Sequence, residues 1–137
     1  MKRFFTTTFI VAVLTGCNSE NNRPVMLKKV DSVIIHYFKG KEVESYGSSI
    51  KKQVDILAES ITDAAVQKDR LPDTTGRIRF TQENNLVLEV YFTTPGTVSK
   101  FDAPVYAYEI NGIVYGGRFT YKSGSLLEEF YDKLQSQ

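Results

Sequence analysis

Cysteine and histidine each occur once in this 137-residue chain, at Cys17 and His36. A structural zinc site draws several ligands from those two residue types. One of each does not supply such a set, and no metal or cofactor site is expected. A lone cysteine also leaves no disulfide framework, so the domain is expected to be held by packing. Charge of one sign is lacking too. Lys and Arg number 17 against 16 Asp and Glu, far from the basic footprint of a nucleic-acid binder. The apolar stretch at residues 4–14, broken by Thr6, Thr7 and Thr8, is too short to span a bilayer permanently. No internal repeat stands out. Gly112, Gly116 and Gly117 do not form a phosphate loop, because they fall at a hairpin rather than between strand and helix.

What is present begins at the N-terminus. Lys2 and Arg3 precede the apolar stretch, which ends in Leu14-Thr15-Gly16-Cys17 and is followed by polar sequence. This arrangement resembles the lipobox of bacterial lipoprotein precursors. The resemblance implies a signal peptide over residues 1–16 and cleavage before Cys17. It implies a diacylglycerol thioether on the Cys17 sulfur, with further acylation of the freed amine in some bacteria. Signal peptidase and lipid-transfer machinery would act during maturation. Asn18 stands where an aspartate often retains Gram-negative lipoproteins at the inner membrane. The expected location is therefore the outer face of the cytoplasmic membrane or the outer membrane, according to cell type. Loss of Lys2 and Arg3 would leave the mature chain with one net negative side-chain charge.

Residues 17–28 read as a polar, lipid-anchored tether, and 29–137 as a single domain of adequate size for its own core. Residues 29–38 predict a strand with Val33, Ile35 and Tyr37 on one face and Ile34, His36 and Phe38 on the other. That two-sided pattern predicts a central strand covered on both faces. Residues 41–46 suggest a second strand. Ile50, Val54, Leu57, Ile61 and Ala64 or Ala65 repeat at helical spacing and predict a helix over 49–68, entered through Gly47-Ser48-Ser49. Residues 77–81 and 86–93 predict a hairpin about Glu83-Asn84-Asn85, with Leu86, Leu88, Val90 and Phe92 inward. Thr94-Pro95-Gly96 is expected to break the sheet, with residues 97–103 read as a loop or irregular link. Asn111-Gly112 predicts a second hairpin, from strands 105–110 and 113–121. A last helix is expected from Gly124-Ser125, with Ser125 and Glu128 as a capping box and Leu127, Phe130, Tyr131 and Leu134 as its packing face. The order predicts an α+β fold: a mostly antiparallel sheet of four to six strands, with one long helix and a C-terminal helix packed on it.

No catalytic constellation emerges. His36 lacks a nucleophile and an orienting partner in any local motif. Glu59 and Asp63 read as solvated helix carboxylates, and Glu128 and Glu129 as favouring the start of the last helix through capping and its dipole. Gly116-Gly117 marks either a bulge or backbone closely approached by a neighbour. The aromatic second hairpin is the candidate partner-binding surface. Tyr106, Tyr108, Tyr115 and Tyr121 combine apolar area with a polar handle, and Arg77 and Arg79 offer an electropositive rim. The expected function is a noncatalytic, lipid-anchored envelope module that binds an unidentified protein or peptide. The alternatives are a structural accessory subunit of an envelope complex, or a small hydrolase built from His36 with Asp31 or Glu109.

Overall fold

In the computed structural model, residues 25–61, 64–68, 74–93 and 105–137 are described. Strands β1 (Ser32–Lys39) and β2 (Glu42–Ser48) are followed by helix α1 (Lys51–Glu59) and the short strand β3 (Ala65–Gln67). Then come β4 (Gly76–Gln82), β5 (Asn85–Phe92), β6 (Val105–Ile110), β7 (Ile113–Arg118) and helix α2 (Tyr121–Gln135). The strands form one seven-stranded antiparallel sheet in the order β2-β1-β4-β5-β6-β7-β3. This is the expected α+β architecture, with one strand more than the expected range.

Period-two alternation sends Val33, Ile35, Tyr37, Ile78, Phe80, Leu88, Val90 and Phe92 to one face of the sheet, where all are buried. Helix α1 adds Val54, Leu57 and Ala58 to that core, and α2 adds Leu126, Leu127 and Phe130. Phe130 stacks on Tyr46 with ring centroids 4.2 Å apart. The Tyr37 hydroxyl donates to the Leu127 carbonyl at 2.6 Å, which satisfies a buried polar group and raises the hydroxyl's pKa through its burial.

Several local expectations are corrected. The span read as a tether, residues 17–28, is described only from residue 25 onward. Val25–Lys29 forms a 3-10 helix, and Leu27 is buried in the core. Helix α1 ends at Glu59 rather than near 68. The Ser60 hydroxyl donates to the Leu57 carbonyl, while Ala65–Gln67 pairs with β7. Tertiary strand pairing here overrides the helical spacing that Ala64 and Ala65 continue. The helix has no side-chain cap at Ile50. Instead the Ser48 hydroxyl accepts from the Ile50 amide. Helix α2 starts three residues before Gly124, because Thr120 accepts from the Ser123 amide and acts as N-cap. Strand β7 accordingly ends at Arg118, before Tyr121. Ser123, inside the first turn, is buried and donates to the Ile56 carbonyl at 2.9 Å, tying α2 to α1.

Two of the three two-residue hairpin turns, those of β6-β7 and β4-β5, place both residues in left-handed backbone, as the right-handed twist of their strands requires. The pairs are Asn111 (φ 52°) with Gly112 (φ 81°), and Glu83 (φ 50°) with Asn84 (φ 69°). Beside the second turn the register shifts: Phe80 pairs with Leu88 but Thr81 with Leu86. Val87 is thus the extra residue, and the shift carries Leu86 out of the core to an exposed position. No such shift occurs at Gly116-Gly117. There a β-carbon on Gly116 would stand 2.7 Å from the Tyr106 carbonyl, and one on Gly117 would stand 3.0 Å from the Tyr106 hydroxyl oxygen. The glycine pair marks close approach, not a bulge. The segment 94–104 lies outside the described residues.

Gly76 is the most crowded glycine. A β-carbon there would lie 2.5 Å from the His36 carbonyl and 2.5 Å from the Phe92 ring. The ring can rotate, but the carbonyl is fixed in the sheet. Gly76→Ala is expected to cost about 1–3 kcal/mol in urea denaturation, as overpacking does. Gly47→Ala, whose nearest neighbour is 3.8 Å away, should stay within about 0.5 kcal/mol. Equal effects of the two would show that this close approach does not constrain the sheet.

Candidate functional site

Both helices pack on the same face of the sheet, and the opposite face is only partly covered among the described residues. The expectation that β1 is enclosed on both sides is therefore corrected. Val33, Ile35 and Tyr37 are buried, whereas Ile34 is exposed and His36 and Phe38 are half-buried. The register aligns two rows across β1, β4 and β5. One is His36, Arg77 and Tyr91; the next is Ile34, Arg79 and Glu89. Val43 of β2 stands opposite Phe38 and is exposed.

These side chains form a charged centre with an apolar surround. The Arg77 Nε donates to His36 Nδ1 at 3.0 Å. Glu89 Oε2 lies 3.8 Å from Arg77 Nε and 3.5 Å from Arg79 Nε. The Tyr91 hydroxyl donates to Glu89 Oε1 at 2.9 Å. The Arg77 guanidinium lies 5.8 Å from the centre of the Phe38 ring, within cation-π range. Arg77, Arg79 and Glu89 have side chains 30%, 36% and 27% exposed, so their charges are partly desolvated.

Electrostatics follow from this packing. Burial lowers the His36 pKa, the Arg77 and Arg79 charges lower it further, and Glu89 opposes them. An Nδ1 that accepts from Arg77 also belongs to a neutral ring whose proton sits on Nε2. The Tyr91 pKa is raised, first by its hydrogen bond to the Glu89 carboxylate and then by burial. The centre can offer guanidinium donors and an aromatic ring to an incoming group.

The sequence-predicted candidates divide between the two faces. Arg77 and Arg79 lie on the open face. Tyr106 and Tyr108 belong to the core, at 2% and 4% exposure. Tyr115 is half-buried, its ring centre 5.5 Å from that of Tyr108. Tyr121, at 89% exposure, stands at the first position of α2. The four tyrosines therefore do not form one exposed patch. Asp31 does not meet His36 either. It precedes β1, and its carboxylate accepts from the Glu83 amide. Glu109 lies on β6, three strands from β1. The carboxylate that acts on His36 is that of Glu89. Among the described residues, no group of three or more His, Cys, Asp or Glu is placed to hold a metal.

Sequence reading missed Glu89 and Tyr91, together with Ile34, Phe38 and Val43, as members of this site. The outward parity of Glu89 and Tyr91 was legible, but their alignment with β1 depends on strand order and register.

Residues 1–18 match the family described as the prokaryotic membrane lipoprotein lipid attachment site. That motif ends just after Cys17, which is the residue it implies is lipid-modified; the match does not extend into the described fold. No curated protein matches the chain, and no solved structure does. No helix among the described residues is long and apolar enough to cross a membrane.

Proposed function

We propose that this chain is a lipid-anchored envelope binding module that receives a partner protein on the open face of its sheet. The carrying observation is the cluster of His36, Arg77, Arg79, Glu89 and Tyr91, set among Ile34, Phe38 and Val43 on the face away from both helices. Partly desolvated arginines beside aromatic and aliphatic side chains are the composition that interfaces favour.

The lipid attachment motif supports cleavage before Cys17 and acylation of its sulfur. Cys17 precedes the first described residue, Val25, by eight residues. A fully extended chain of that length spans at most about 30 Å. The domain thereby stays close to the membrane that holds its lipid, at the outer face of the cytoplasmic membrane or at the outer membrane. Its partner is an envelope protein within that reach.

A photoreactive amino acid placed at Ile34 or Tyr91 in living cells tests this reading, with Glu128 on exposed α2 surface as the control position. Both open-face positions should give the same discrete crosslinked product in the membrane fraction, and Glu128 should not. Crosslinking from Glu128 alone, or equally from every position, would refute open-face recognition.

A further inference from the structure

The binding reading leaves the partner's chemistry open. Charge on the open face narrows it. Arg77 and Arg79 share one carboxylate, Glu89, which stands at 3.8 and 3.5 Å from their Nε atoms. Neither separation is a close hydrogen bond. His36 contributes no positive charge while it accepts from Arg77. By register, Glu109 and Arg118 also lie on this face, farther along the sheet. Its described strand residues therefore carry three arginines against two glutamates, with the excess positive charge concentrated between β4 and β5.

The surroundings of that excess are apolar. Ile34 stands opposite Arg79 and Tyr91 opposite Arg77, Phe38 lies against the Arg77 guanidinium with Val43 beyond it on β2, and Ile34, Val43 and Tyr91 are exposed. A polyanion such as a nucleic acid or an anionic lipid surface would meet Glu89 and Glu109 as well as the arginines. One carboxylate flanked by apolar side chains satisfies both parts of the patch. Arginine favours that partner, since its planar fork pairs with a carboxylate through two parallel hydrogen bonds.

We propose that the open face recognises an acidic, apolar-flanked peptide segment of an envelope protein, seating an aspartate or glutamate against Arg77 and Arg79. This rests on the open face being the binding surface. Glu89 offsets one of the two guanidinium charges before the partner arrives, and the incoming carboxylate supplies the second negative charge. Ile34, Phe38 and Tyr91 receive its apolar neighbours.

The test uses the full mature lipoprotein in nanodiscs of phosphatidylcholine, isotopically labelled for amide NMR. It is titrated with a short peptide alternating aspartate and leucine, with the same peptide carrying lysine for aspartate, and with phosphatidylglycerol vesicles. The acidic peptide should shift the amides of Ile34, His36, Arg77, Arg79 and Tyr91. Arg77→Gln and Arg79→Gln should each weaken it on the order of tenfold, as loss of a charge-assisted bond does. Arg79→Lys, which keeps the charge, should lose less. The unliganded amide spectrum of each variant shows whether its fold is kept.

Equal binding of the lysine peptide, shifts confined to the helical face, or well-folded glutamine variants that bind normally would overturn the proposal. So would shifts elicited by the vesicles and not by the acidic peptide. In-cell crosslinking from Ile34 separates the two levels. A product that persists when the acidic peptide fails leaves the binding surface standing and removes its carboxylate chemistry. Absence of any open-face product, with an intact fold, removes both.

Discussion

Cys17→Ala is expected to eliminate acyl mass and membrane retention together. The thioether needs the cysteine sulfur, and no other residue of the chain supplies one: Cys17 is the only cysteine. Two or three acyl chains hold a protein stably on a bilayer, because each buried methylene contributes about 0.8 kcal/mol, whereas a single chain binds only marginally. Intact mass should find the wild type beginning at residue 17 with its acyl groups, in the membrane fraction. The variant should accumulate with its leader uncut or appear without lipid. The contrast is all-or-none rather than graded, which makes it the largest effect expected of any single substitution. Equal cleavage and equal solubility of the two proteins would contradict lipid attachment at Cys17.

Phe130→Ala should remove about 3–5 kcal/mol of stability, read from the urea midpoint of the variant. The side chain is fully buried and stacks on Tyr46 at 4.2 Å with an interplanar angle of 15°. It belongs to the helix that closes the core over β1 and β2, bonded to β1 from Tyr37 to Leu127 and to α1 from Ser123 to Ile56. Truncation leaves a cavity between helix and sheet that neighbouring rings fill only in part. Total stabilities of domains are about 5–15 kcal/mol, so this loss is a large share of the whole. Leu134→Ala, at a half-buried position near the end of the same helix, should cost less. A loss below about 1 kcal/mol at Phe130 would mean that α2 does not complete the core.

These effects rest on features that differ in how plainly the sequence displays them. The β4-β5 and β6-β7 hairpins were legible because alternation and Asn111-Gly112 are local signals. Inward residues such as Ile78, Val90 and Phe92 follow from parity alone. Helix α1 was overextended because Ala64 and Ala65 fit its spacing, while the competing partner, β7, lies far along the chain. Leu86 was misplaced because one extra residue, Val87, reverses parity beyond it. Thr120 was missed as N-cap because Ser125 and Glu128 imitate a capping box one turn later.

The candidate site was legible only as outward-facing fragments. Arg77, Arg79, Glu89 and Tyr91 each show their parity, but the two-sided apolar pattern of β1 predicts a strand enclosed on both faces. Nothing local states that both helices choose one side of the sheet. That choice leaves His36 half-buried beside Arg77 and separates Arg77 and Arg79 from Tyr106 and Tyr108.

The closing of the core by α2 has a consequence for the order of events in synthesis. Tyr37 finds its hydrogen-bond acceptor 90 positions later, at Leu127, and Tyr46 waits for the ring of Phe130. Contacts so distant form late, because a long loop must close before they contribute. Here the last helix is the latch: until it docks, β1 and β2 lack part of their cover, and the finished fold waits on the C-terminal end of the chain.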